Sequence, residues 1–140
     1  EDDYLHYDHS LVDMLDTYER ISSQHKDEII VCPSDYPFNY MTNEKTNILI
    51  GSKQHWRIIT KMLCTFMISK KMFQKHINNF EKTCEKRHDP FEKYLNEILQ
   101  KEIAISPIKS LAIHLTNVNS SYGLSPFIDY KKLWDANKVK

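Results

Sequence analysis

The chain has 140 residues, 27% of them charged and 41% hydrophobic, with 19 basic and 19 acidic side chains that cancel. That length suits one domain with a sizeable core, and with only two glycines there is neither a phosphate loop nor a dinucleotide-binding fingerprint. The balance hides a segregation: residues 1–46 carry 11 acids and 3 bases, residues 47–88 carry 9 bases and 2 acids, and residues 89–140 are near neutral. Such asymmetry points either to docking of one third on another or to a basic face turned outward.

Residues 1–9 read as a polar N-terminal arm. Within it His6-Tyr7-Asp8-His9 is the cluster richest in ligand types. Spacing marks no third or fourth ligand, so neither a metal nor a cofactor is expected. Ser10-Leu-Val-Asp13 has the capping-box pattern. Leu11, Leu15, Tyr18 and Ile21 follow at helical spacing and predict a first helix to about Ser23, with Asp13, Asp16 and Glu19 on its wet face. Glu28–Cys32 is the best short strand candidate, and residues 32–46, with Pro33 and Pro37, predict a long loop.

Residues 53–68 predict a central core helix, because between Trp56 and Met67 the apolar surface spreads round most of a helical circumference. Residues 70–87 predict an amphipathic extension after a bend at Ser69-Lys70. On that extension Lys71, Lys75, Lys82 and Lys86 fall within about 60° of arc, opposite Phe73, Ile77, Phe80 and Cys84. Like charges at i,i+4 cost an isolated helix about 0.2–0.5 kcal/mol per pair. The stripe, with Arg87 beside it, therefore invites an acidic partner.

Asp89-Pro90-Phe91, Ser106-Pro107-Ile108 and Ser125-Pro126-Phe127 each set a capping residue before a proline, which suits a helix start. The fold expected is therefore all-α: a single compact helical domain over residues 1–140, with five or six helices around the buried central one. No family signature is read. His55-Trp56-Arg57 shares Trp and Arg with the Asn-Trp-Gly-Arg signature of Bcl-2-like proteins but lacks its glycine, and no second signature accompanies it.

Catalytic patterns such as a nucleophile elbow or H-E-x-x-H are missing, and His55, His76, His88 and His114 are scattered. The expected function is non-enzymatic: a protein–protein interaction domain of a larger intracellular or viral protein, in nucleus or cytoplasm. Cys32, Cys64 and Cys84 make an odd count without C-x-x-C spacing, which favours a reducing compartment. A chain without an initial Met reads as a fragment, and no apolar run reaches membrane-span length, so no membrane partner is expected.

The expected partner is a protein with an acidic surface, met by Lys71, Lys75, Lys82, Lys86 and Arg87. Tyr122, Phe127, Tyr130 and Trp134 are the aromatic anchors. The acidic first helix is an internal rival for the same stripe. The alternative is a nucleic-acid-binding helical domain using the stripe. Against it, the aromatics lie opposite the lysines instead of among them.

Overall fold

The computed structural model describes residues 3–62, 65–85, 92–116, 125 and 127–138. In chain order they form β1 (Tyr4–His6), α1 (Ser10–His25), β2 (Ile29–Val31), a 3-10 turn (Pro37–Tyr40), β3 (Ile48–Ile50) and β4 (His55–Ile58). Then come α2 (Lys70–Lys75), α3 (Ile77–Glu85), α4 (Lys93–Leu99), β5 (Ile103–Pro107), β6 (Ala112–His114) and α5 (Tyr130–Asn137). The all-α expectation is overturned. A four-stranded sheet of order β2-β5-β4-β3 and a two-stranded sheet of β1 and β6 stand among the helices.

β2 and β5 run parallel, with Ile29, Ile30 and Val31 beside Ile103, Ala104 and Ile105. β4 is antiparallel to β5 on one side and to β3 on the other. Here the expected central helix fails. A strand inside a sheet covered on both faces shows a nearly continuous apolar run, which periodicity alone does not separate from a buried helix. Trp56 packs with Met14 and Ile21 of α1, whereas Ile59 packs with Met72, Leu95 and Ile98 on the other side. The β-branched run Ile58-Ile59-Thr60 favours extended chain.

The same pleat sorts β2: Ile29 and Val31 join the α1 side, Ile30 and Cys32 the side of α2 and α4. The result is three layers, with α1 on one face of the sheet and α2–α4 on the other. Burying one such Ile, Leu or Met contributes about 1.5–3 kcal/mol. The β3–β4 hairpin closes at Gly51, whose amide donates to the Gln54 carbonyl at 2.9 Å. A Cβ at Gly51 would lie 2.3 Å from Trp56 Nε1, so only glycine lets the indole reach its fully buried site.

Two other expectations are corrected by pairings distant in sequence. Residues 4–6 of the N-terminal arm form β1, with Tyr4, Leu5 and His6 opposite His114, Ile113 and Ala112. Ser106-Pro107 ends a strand instead of opening a helix, and Ser106 Oγ donates to the Ser34 carbonyl at 2.8 Å.

Helix α1 forms, but with its buried stripe one position toward the N-terminus: Ser10, Asp13, Met14, Thr17 and Ile21 are inside while Leu11 and Leu15 are exposed. The capping box does not close, because Ser10 Oγ donates to the Leu111 carbonyl and Asp13 accepts from Lys53 Nζ. Ser69 caps α2 by accepting from the Met72 amide at 3.0 Å, at the expected bend. A second break at His76 divides the predicted 70–87 helix into α2 and α3. The Asp89-Pro90 start lies outside the described residues. α5 begins not at Ser125 but after Asp129, whose carboxylate accepts from the Lys132 amide at 3.0 Å. Among the described residues no helix is long and apolar enough to cross a membrane.

Candidate functional site

The described part of the lysine stripe is engaged within the chain. Lys71 Nζ lies 3.6 Å from Glu28 Oε1. Lys75 Nζ lies 2.8 Å from Glu102 Oε1, an almost buried carboxylate that also bonds His76 Nε2 at 2.6 Å. The hydrogen bond to Glu102 holds the Lys75 ammonium above its ordinary pKa. Lys82 Nζ sits 5.7 Å from the centre of the Tyr94 ring. Lys86, Arg87 and Tyr122 lie outside the described residues. Asp13 and Asp16, the acids expected to cover the stripe, turn to Lys53 instead, at 2.5 and 3.8 Å. In α2 and at its C-cap the inward side chains are Met72 and His76, and Phe73 is exposed.

A cleft of about 910 Å³ lies between the β1–α1 turn, the β5–β6 turn and α5. Its walls are set by backbone bonds: Leu111 N donates to the Pro33 carbonyl at 2.8 Å and Ile108 N to the His55 carbonyl at 3.0 Å. Asn137 Nδ2 donates to the His6 carbonyl at 3.0 Å and so fastens α5 to β1. The buried Leu111 and Leu133 give the cleft an apolar floor. Burial holds the His6 imidazole below its ordinary pKa and the Tyr7 phenol above its own.

The cleft holds three carboxylates, Asp8, Asp13 and Asp129, and three ammonium groups, Lys53, Lys109 and Lys132. Asp8 bonds His9 Nδ1 at 3.0 Å, a contact that lowers its pKa. Asp13 holds Lys53, and Asp129 caps α5. Lys109 and Lys132 also line the cleft, and no ion pair engages their ammonium groups among the described residues. Lys109 and Lys132 are therefore the cleft's cations without an ion pair among the described residues, and Asp129, whose partner is a backbone amide, keeps its negative charge beside them.

On the rim stands Phe127, 82% exposed and held at φ 70°. A bulky side chain at positive φ is a backbone outlier, and solvent exposure returns nothing for it. Tyr130 and Trp134 pack on each other at 6.1 Å and are not among the residues lining the cleft. Of the expected anchors among the described residues, then, only Phe127 joins this site.

Behind the floor lies a polar network that sequence reasoning missed. The Asp35 carboxylate is fully buried, accepts from Ser125 Oγ at 2.5 Å and from the Tyr40 hydroxyl, and lies 3.4 Å from Arg57 Nη2. Arg57 also donates to the Tyr40 oxygen at 2.7 Å and stacks over that ring. Ser110, which lines the cleft, accepts from the Asp35 amide at 2.8 Å. Burial pushes the Asp35 pKa up, against the lowering effect of these donors and of Arg57. An acid in a predicted loop and an arginine in a predicted helix gave no sign of the pairing. Among the described residues no three His, Cys, Asp or Glu side chains converge as a metal site. Comparison with protein-family models, curated proteins and solved structures finds no match to this chain.

Proposed function

We propose that this chain is a non-enzymatic protein-interaction domain that takes an acidic segment of a partner into the cleft between α5 and the β1–α1 turn. The observation that carries the reading is Phe127, 82% exposed at positive φ on the rim of a cleft whose unpaired cations are Lys109 and Lys132. A partner that covers the ring offsets the cost of holding it in water, and aromatic anchors beside a desolvated pocket dominate such interfaces. The two lysines select acidic partners and speed encounter more than they add affinity.

A displayed library of random peptides tests this. Selected peptides are expected to carry Asp or Glu beside an apolar residue. Their affinity should fall at least tenfold, about 1.4 kcal/mol, in Phe127→Ala, and should weaken in Lys109→Glu/Lys132→Glu. Trp134→Ala, which alters a ring outside the cleft, should leave it unchanged. Enrichment without acids, or binding indifferent to Phe127, overturns the reading.

A further inference from the structure

We infer that β3 is a self-pairing edge through which two copies of this chain join their sheets antiparallel. The opposite edge of the four-stranded sheet, β2, is closed by Met67, whose amide and carbonyl bond the Val31 carbonyl and amide at 2.8 and 3.0 Å. Among the described residues β3 has no such cover. Ile58 N donates to the Asn47 carbonyl at 3.0 Å and Gly51 N to the Gln54 carbonyl at 2.9 Å. These bonds set the phase of the hairpin: Asn47, Leu49 and Gly51 turn their backbone groups toward β4. The amides and carbonyls of Ile48 and Ile50 therefore point outward, and among the described residues nothing bonds them.

The side chains agree with the backbone. Ile48 and Ile50 are 52% and 63% exposed on the face they share with Arg57 and His55. The apolar cluster under α2–α4 draws on β2 and β5 but takes no residue from β3, so the helices stop short of this edge. Natural edges are usually blunted by charge, proline or a bulge. Thr46-Asn-Ile-Leu-Ile-Gly-Ser52 has neither charge nor proline.

A second copy fits this edge by symmetry. A two-fold axis at Leu49 sets Ile48 against Ile50 of the copy and Ile50 against Ile48, which makes each outward amide face an outward carbonyl. The isoleucines of both chains then cluster on one face as cross-strand pairs, and Leu49 meets its own copy beside the α1-side core. The same register brings Lys45 of one chain to Lys53 of the other. Lys53 lies 2.5 Å from Asp13 and 3.8 Å from Asp16, so Lys45 approaches a cluster of net negative charge. Three residue pairs bury less than the roughly 1,000 Å² of a tight interface, so the association is concentration-dependent.

Sedimentation equilibrium from about 10 to 500 µM is expected to show monomer passing to dimer. Ile50→Pro removes one outward amide without touching a β3–β4 bond, and Ile50→Lys puts charge on the edge. Both should remain monomeric across that range, with circular dichroism reporting their fold. Cross-linking tests the register independently of either variant. In a Cys64→Ser/Cys84→Ser background, Ile48→Cys mixed with Ile50→Cys should oxidise to a heterodimer, and each alone should not. A chain monomeric throughout, a dimer unaffected by both Ile50 variants, or homodimeric cross-links overturn the inference. So does pairing of this edge only with a strand of another protein.

Discussion

Ionising Asp35 is costly, since its carboxylate is buried beside a single arginine at 3.4 Å. Its folded pKa is raised above the ordinary carboxylate value by burial. The sign follows from linkage: a group that holds its proton more tightly when folded contributes stability below its unfolded pKa, and that stability is lost as pH rises through the folded pKa. The wild type should therefore lose stability relative to Asp35→Asn as pH is raised from about 4. The slope should be at most about 1.4 kcal/mol per pH unit, levelling off once the carboxylate is ionised in both states. Urea unfolding of both chains from pH 3.5 to 7 measures the difference. A difference that is flat or grows with pH would show that Arg57, Tyr40 and Ser125 outweigh burial.

At the scale of elements, the features set by neighbouring residues were legible and those set by distant ones were not. α1, the strand at Ile29–Val31 and the break at Ser69 were visible because each rests on a few adjacent side chains. The Ser69 cap gives a direct test. Ser69→Ala leaves the Met72 amide unpaired and should cost about 0.5–2 kcal/mol in urea unfolding; no change would mean that water or a neighbouring residue caps α2 as well. β4 and β5 were invisible for the opposite reason. Val31 meets Ile105 and Trp56 meets Pro107, pairings that no local period reports. The cleft shares this property: Ser10 is tied to Leu111, and His6 to Asn137. Of its residues, only Phe127 was singled out as a partner contact from sequence, as an aromatic and not by its strained backbone.

Across the described residues the charge segregation is consumed in part by ion pairs within the fold. Asp13 and Asp16 meet Lys53, Glu28 meets Lys71, Asp35 meets Arg57 and Glu44 meets Lys61, each an acid of the first third on a base of the second. Docking of one third on another, the first of the two readings of the composition, thus accounts for part of the asymmetry. It bears directly on nucleic acid. Four aligned lysines with Arg87 would give a log–log salt slope near −3 to −4 on duplex DNA, at about −0.9 per phosphate contacted. With Lys71 held by Glu28 and Lys75 by Glu102, fewer contacts are open, and the intact chain should bind a random duplex weakly with a slope shallower than about −2. Deleting residues 1–23 would be a poor control, because Met14 and Ile21 sit in the core. Glu28→Gln instead frees Lys71 without removing apolar contacts, and should steepen the slope by up to about 0.9. Fluorescence anisotropy between about 50 and 200 mM salt reads both values. Tight binding by the intact chain with a slope of −3 or beyond would mean that these ion pairs open to phosphate at little cost, and would put the nucleic-acid reading ahead of the acidic peptide.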